Sequence, residues 1–499
     1  MRRTVCRRAR TNFSASTLAI AALAFAPSAG AQAPPPAPEK ISVGDWQLSP
    51  LLEVRTRGEY RRDAPDLGGV DFFGRQTPRV RDGWVVMERS RLGVGAERGA
   101  VRAQITLQDA RALGSPSPSA FAGARGVGRF EPYEAFAELR ANGVRPHYVR
   151  LGRQAVVWGE GRLVGNADFS PVGRSLDALR GHLAVGDFDF EALAAILEAP
   201  GPLGSGFSDT SGPSRSGVQL YGLTAGWSID PLLKIEAFAL ARVSRSSGAE
   251  LDGSRFATSR LSGERLTASL RASGDAKGWT YGAEGAYQFG SATFGAPGGM
   301  DISAWAAAAH VSKTLEQLLF SPTFRAAGSY ASGDDGRGVY KQFDPLLADP
   351  QRFHGQMDLF GWSNMMDVAG RAQIAPMTDV TASLEYRYAR LAQGRGEWIG
   401  SYLSAIGSST PPPLVTTTPA PTGRPPSNEA ELGHELDVVF TYRPWLPLEL
   451  RAGWSGLLLG DGAKAIMAAH ARGSRLPNGA VSPANIAQYA YLQATVTMP

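Results

Sequence analysis

The chain has 499 residues and a formal net charge of +5. Five arginines among the first ten residues account for this excess, so the sequence beyond residue 31 is formally neutral and does not indicate nucleic-acid binding. The only cysteine, Cys6, lies in the same segment, which excludes disulfides and thiolate metal sites from the rest of the chain.

The first 31 residues have the three parts of a secretory signal peptide. A cationic start that includes Arg2 and Arg10 precedes an apolar run over 18–26, and small residues follow at 28–31. We therefore predict a signal peptide over 1–31, with cleavage near Ala31. Residues 32–44 are predicted to form a Pro/Ala-rich tether, and residues 45–499 a single membrane domain.

From Trp46 onward, apolar and polar residues alternate with a period of two, which is typical of strands with one apolar face. In the segment that begins at Val101, for example, Ile105 and Leu107 share one face, whereas Arg102 and Gln104 share the other. No run beyond the N-terminal segment approaches the roughly 20 apolar residues of a membrane-spanning helix. Counting the alternating segments gives about 18, an even number as bacterial barrels require. The sequence therefore predicts an all-β, transmembrane, antiparallel up-and-down β-barrel.

The connections between these segments alternate in length. Short connections are predicted at 98–99, 141–145, 186, 228–231, 273–278, 375–377 and 444–445. Long connections are predicted at 61–83, 111–131, 158–174, 200–215, 245–263, 333–362, 393–431 and 460–486. This pattern indicates short periplasmic turns and long extracellular loops. One inner connection, at 312–321, is longer than the rest.

If the apolar face meets lipid, the charged residues of the opposite face line the pore. The arginines expected there are Arg55, Arg57, Arg89, Arg91, Arg102, Arg140, Arg150, Arg180, Arg271, Arg325, Arg371, Arg387 and Arg451. The acids expected there are Glu53, Glu134, Glu138, Asp189, Glu191, Glu236, Glu284, Asp367, Glu385, Asp437 and Glu449. Fixed guanidinium groups favour anions in a narrow pore, whereas mutually neutralised charges would give a general porin.

The segment from Gly152 to Arg180 is the densest in charge and glycine. We predict that it folds into the barrel and narrows the pore; the alternative is a salt-bridged loop base without a ligand role. The candidate pore-lining and constriction residues are Arg89, Arg91, Arg150, Arg153, Glu160, Arg162, Asp168, Arg174, Asp177, Arg180, Arg371 and Arg387.

The same segment carries a family resemblance. Its motifs GRQ (152–154) and WGEGRLVG (158–165), followed by Asp168, Arg174, Asp177 and Arg180, are similar to the signature of the alginate export family. Further matches are ERSRLG (88–93), QDAR (108–111), YASGDDGRG (330–338), FDPLLAD (343–349) and HGQMDLFGWSN (354–364). The resemblance implies an 18-stranded outer-membrane barrel that exports an anionic exopolysaccharide through an arginine-lined pore. The chain departs from the family pattern at Phe169, where a tryptophan is expected, and in the very short inner turn at 444–445.

The predicted function is that of a passive channel for export of an anionic, alginate-like exopolysaccharide. A general or nutrient-uptake porin for small anionic solutes is the alternative, and a surface-adhesion barrel is a third possibility. The six histidines have no metal-ligand spacing and no nucleophile motif occurs, so we expect neither an enzyme nor a cofactor. Asp334 and Asp335 are candidate Ca²⁺ ligands in an outer loop; the alternative is that they lie in an ordinary solvated loop without a metal.

The expected location is the outer membrane of a Gram-negative bacterium. Expected partners are outer-membrane lipid and lipopolysaccharide, the barrel assembly machinery and periplasmic polysaccharide-export components, but not nucleic acid.

Overall fold

The computed structural model describes residues 40–65, 69–70, 76–77, 81–115, 121, 127–141, 147–198, 218–230, 232–244, 261–294, 300–349, 351–401, 405–407, 429–445, 447–473 and 485–498. The predicted signal peptide and residues 32–39 of the tether lie outside these ranges. The last tether residues form part of the sheet, since Ile41–Val43 pairs as a short antiparallel strand with Trp46–Leu48.

Within the described ranges, eighteen antiparallel strands form one closed barrel, which confirms the predicted fold class. They are β1 (Trp46–Arg62), β2 (Asp82–Arg98), β3 (Val101–Ser115), β4 (Arg129–Arg140), β5 (Tyr148–Gln154), β6 (Leu176–Val185), β7 (Phe188–Glu198), β8 (Val218–Asp230), β9 (Leu233–Ser244), β10 (Leu261–Ala276), β11 (Trp279–Phe294), β12 (Met300–Thr314), β13 (Thr323–Ala331), β14 (Met365–Met377), β15 (Val380–Leu391), β16 (Glu431–Trp445), β17 (Leu448–Leu459) and β18 (Ile486–Met498). Strand β1 closes the barrel by pairing with both β2 and β18.

A few short elements lie outside the barrel wall. Two-stranded pairs join Gly69–Val70 to Gln76–Thr77 and Trp398–Ile399 to Ala405–Gly407. The helix α1 (Asp461–Gly473) begins with an acidic residue in its first turn, where a negative charge is favourable.

No helix in the described part of the chain is long and apolar enough to cross a membrane.

The two faces of the barrel wall differ as the alternation predicted. Leu92 on β2 and Leu492 on β18 point outward and are 65% and 67% exposed. Arg89 and Arg91, on the opposite face of β2, are buried inside the barrel. Closing the barrel pairs every wall strand on both sides, which is what a strand-built protein needs in hydrocarbon.

The connections follow the predicted alternation with one difference. Six of the eight connections at the short-turn end contain two residues, and the one over 315–322 contains eight. At the opposite end, β11 and β12 are joined by five residues, so long and short connections do not alternate strictly. These strands are 16 and 15 residues long, and a short connection suffices because both continue well toward that end.

The lumen contains an apolar region that the alternation did not predict. Leu193, Leu220 and Leu240 point inward from β7, β8 and β9 and pack against Trp158 and Leu347 of two long loops. The continuous apolar run in EALAAILE (191–198) is the sequence signal of this region, since a wall strand that meets lipid on one face and an apolar core on the other loses its polar alternation. The long-loop half of the lumen is therefore filled by loops packed on an internal core.

Candidate functional site

The first of these loops, here called loop A (155–175), follows β5 and crosses the lumen to the wall formed by β1 and β2. Arg55 donates hydrogen bonds to the backbone oxygens of Asp168 (2.7 Å) and Ser170 (2.8 Å). Arg57 donates to the backbone oxygen of Phe169 (2.7 Å), and its guanidinium lies 3.7 Å from the centre of the Phe169 ring. Wall arginines therefore hold the loop backbone inside the barrel.

The Asp168 carboxylate supplies the second set of contacts between loop A and the wall. Its oxygens lie 3.0 Å from Arg91 and 3.1 Å from Arg89, while Arg89 also donates to Glu53 (2.8 Å). Burial would raise the pKa of Asp168, but Arg89, Arg91 and Arg55 outweigh this effect and hold it well below its usual range. The carboxylate stays ionised and links two buried guanidinium groups.

The second inward loop, loop B (332–364), follows β13 and joins loop A through a short parallel bridge at Val164 and Leu347. The Gly165 N–H donates to the Leu347 oxygen (2.8 Å), and the Asp349 N–H donates to the Gly161 oxygen (2.8 Å). A side chain at Gly165 would collide with Asp349, so glycine permits this close approach.

Arg174 reinforces the junction of the two loops. Its Nη1 donates to the backbone oxygens of Gly165 (3.1 Å) in loop A and of Leu347 (2.7 Å) and Ala348 (2.9 Å) in loop B. One guanidinium group thus bridges the loops with charge-assisted hydrogen bonds.

Loop B is anchored to the far wall by buried acids and an arginine. The N–H groups of Gln356 and Met357 both donate to Glu435 at 3.1 Å, and the Gln356 N–H also lies 3.3 Å from Asp437. Arg61 of β1 donates to the Met357 oxygen (2.8 Å). The loop therefore spans the lumen between β16 and β1.

Two further charged residues of loop A lie beneath this junction. Glu160 accepts a hydrogen bond from Arg271 (3.0 Å) and lies 3.5 Å from His310. Burial would raise the pKa of Glu160, but His310, Arg162 and Arg271 lower it below its usual range. Arg162 lies 4.0 Å from the Phe353 ring, and burial lowers its pKa to about 10, so it remains protonated near neutrality.

Below the joined loops, the lumen contains a cavity of about 490 Å³ that we call the vestibule. Its lining residues are Glu53, Arg55, Arg89, Asp168, Phe169, Asp349, Gln351, Arg352, Gln356, Arg371, Glu449, Arg451, Gln493, Thr495 and Thr497. Five arginines and four carboxylic acids are thus present, so the vestibule is lined by both signs of charge.

The pairing of these charges is uneven. Glu53, Asp168 and Glu449 each contact an arginine, the last through Arg443 at 2.6 Å. Among the described residues, Arg352 and Arg371 form no ion pair within 4.0 Å, and the same holds for Arg451. The Nε atoms of Arg371 and Arg451 are buried without a hydrogen-bond partner.

The twelve candidate residues predicted from sequence occupy three environments. Arg89, Arg91, Glu160, Arg162, Asp168 and Arg174 belong to loop A or its contacts, as described above. Arg150, Arg180, Arg371 and Arg387 lie on the lumenal wall. There Arg150 pairs with Glu138 (2.6 Å), Arg180 with Glu191 (2.7 Å) and Arg387 with Asp367.

Arg153 and Asp177 occupy the third environment, the outer face of the barrel. They lie opposite each other on β5 and β6, 3.3 Å apart, on the same face as the outward-pointing Leu151 and Leu179. The prediction placed both in the pore because they lie within the charged segment. Their positions relative to Leu151 and Leu179 were the signal that could have placed them outside.

The two acids considered for Ca²⁺ make contacts within loop B. Asp335 lies 2.7 Å from the Lys341 ammonium, and Asp334 accepts the Lys341 N–H (3.1 Å). Sequence reasoning also did not single out the wall arginines Arg55 and Arg57 as loop anchors, since their partners lie more than 100 residues away.

Asp349 is expected to make the ion selectivity of the channel depend on pH. Burial raises the pKa of this vestibule residue to about 6, a shift that Arg352 and Arg174 reduce and Asp168 reinforces. Acidification from about pH 7 to about pH 5 should neutralise Asp349 and raise the anion-to-cation permeability ratio roughly twofold. Reversal potentials in planar bilayers measure this ratio. The Asp349→Asn variant should have a smaller pH dependence than the wild type; an equal dependence in the two proteins would contradict the assignment.

A closed barrel with an apolar outer face, and a charged lumen narrowed by inward loops, defines an outer-membrane channel. The sequence matches the family model described as alginate export over residues 47–468, so the chain belongs to the alginate export family. No curated protein matches the sequence.

Crystal structures of outer-membrane porins share this fold. OccK9 (OpdG) of Pseudomonas aeruginosa has a TM-score of 0.52 at 12% identity, covering 91% of this chain and 98% of that one. A BenF-like porin from Pseudomonas fluorescens Pf-5 has a TM-score of 0.51 at 11% identity, covering 91% and 99%. At these identities the similarity concerns the fold alone.

Proposed function

We propose that this channel conducts an anionic, alginate-like exopolysaccharide out of the cell, and that the vestibule is where its carboxylates bind. Membership of the alginate export family supports an exopolysaccharide as the transported substrate. The observation that carries anion preference is the uneven pairing in the vestibule, where unpaired arginines outnumber unpaired acids.

The position of these arginines suits conduction rather than tight binding. Arg325 on β13 lies directly opposite Arg371 on β14, and Arg371 in turn lies opposite Glu385 on β15, so this part of the wall carries two arginines to one acid. Arg352 and Arg451 approach from loop B and β17, so an anion meets cationic groups in succession. Binding that is weak and distributed over several sites permits passage.

The filled upper lumen favours a second candidate function. Loops A and B are joined across the barrel, so a polymer requires their displacement, whereas a small solute needs less space. Uptake of small anionic solutes is therefore the alternative. The two functions differ in a simple measurement: deletion of the gene should reduce secreted exopolysaccharide only if the channel exports it.

Neutralising two vestibule arginines should reduce anion selectivity. We expect Arg371→Gln/Arg451→Gln to lower the anion-to-cation permeability ratio several-fold, because the vestibule loses two cations that have no carboxylate partner. Reversal potentials under a salt gradient measure this ratio. Arg153→Gln is the control, since it removes one arginine charge from the outer face and should leave selectivity unchanged. Equal ratios for the double variant and the wild type would contradict the proposal.

A further inference from the structure

The connection over 315–322, here called the apolar turn, differs from the other connections at the periplasmic end. It contains eight residues where six of the others contain two. Its tip presents three consecutive large apolar residues, Leu318, Leu319 and Phe320, which are 52%, 58% and 38% exposed. An ordinary water-facing turn is polar, so this composition needs an explanation.

The apolar side chains are held outward by an ordered backbone. The Leu315 N–H donates to the Pro322 oxygen (2.9 Å), and the Ala375 N–H donates to the Phe320 oxygen (2.9 Å), which extends the ladders on both sides of β13. Phe320 adopts a φ of 65°, an unfavourable conformation for a bulky residue. The fold thus maintains a local strain while leaving these side chains exposed.

The surroundings of the turn belong to the lipid-facing surface. Phe324 on β13 and Met377 on β14 point outward next to it and are 51% and 54% exposed. On the neighbouring strands, the Lys313 ammonium lies 5.1 Å from the centre of the outward-facing Trp279 ring. Tryptophan and lysine at such positions are typical of the boundary between hydrocarbon and headgroups. The apolar tip is therefore continuous with the surface that contacts the membrane.

We propose that the apolar turn inserts into the phospholipid of the periplasmic leaflet and anchors the barrel at a set depth. Its apolar side chains would contact acyl chains, while Glu316 and Gln317 remain at the headgroups. This inference concerns the membrane contact of the fold and is independent of the transported substrate.

The test uses the absence of cysteine beyond Cys6, which allows a single thiol to be labelled. Leu319→Cys carries a bimane fluorophore in vesicles of phosphatidylethanolamine and phosphatidylglycerol. Quenching is measured with bromine-labelled acyl chains and with aqueous iodide. We expect strong quenching by the brominated lipid and weak quenching by iodide.

Asp187→Cys, in the two-residue turn between β6 and β7, is the matched control at the same end of the barrel. Its label should be quenched several-fold more by iodide and several-fold less by brominated lipid than the label at Leu319. Quenching of the two labels to the same extent by iodide, with no effect of brominated lipid at Leu319, would overturn the proposal and place the turn in water. Vesicles that contain no other protein separate these outcomes.

Discussion

Replacement of Arg174 by methionine is expected to raise single-channel conductance several-fold. The guanidinium joins loops A and B through three backbone oxygens, at 2.7 to 3.1 Å. Losing charge-assisted hydrogen bonds to these oxygens should cost on the order of 3 kcal/mol of junction stability, which raises the ratio of separated to joined loops by roughly 100-fold. Planar-bilayer recordings should show this as long-lived states of higher conductance.

Two comparison variants test whether the change in conductance is specific to the Arg174 guanidinium. Arg111→Met removes an arginine that is 59% exposed and paired with Asp109, so its conductance should match the wild type. Arg174→Lys keeps the charge but not the planar fork and should give an intermediate effect. Unchanged conductance of Arg174→Met, with the barrel still folded, would show that the loops do not limit the pore.

Asp168→Asn is expected to release loop A from the wall of β1 and β2. The substitution leaves the buried Arg89 and Arg91 with only Glu53 as a carboxylate partner nearby. Removing one partner of a fully buried pair costs roughly 3–5 kcal/mol. Because the Asp168 side chain is 50% exposed, we expect about 2 kcal/mol here. Hydrogen exchange over residues 155–175 should accelerate, and anion selectivity should rise as a negative charge leaves the vestibule.

Asp177→Asn is the matched control for this variant. Asp177 is 59% exposed and pairs with an arginine, but it lies on the outer face of the barrel. Hydrogen exchange in loop A should therefore match the wild type. If both variants change loop A equally, the effect does not arise from the contacts of Asp168 with Arg89 and Arg91.

Much of the barrel could be predicted from the sequence, because strand positions and side-chain orientation depend on neighbouring residues. Successive side chains of a strand alternate between its two faces. The face toward the membrane must be apolar, whereas the face toward the lumen is polar. This placed Arg89, Arg91, Arg371 and Arg451 on the lumenal face. The same rule, applied to Val149, Leu151 and Arg153, would have placed Arg153 outside, where the structure has it.

The sequence by itself determined the strand number, the face of most side chains and the presence of a charged inward segment, since these depend on neighbouring residues. Only the tertiary structure decided which arginines already have a hydrogen-bond or ion-pair partner within the protein. Arg55, Arg57, Arg89 and Arg174 hold loop backbone, and Arg352, Arg371 and Arg451 have no carboxylate partner among the described residues. Such pairing depends on loops that cross the lumen to residues 79 positions away for Arg89 and more than 100 positions away for Arg55 and Arg57, and no local pattern records those contacts.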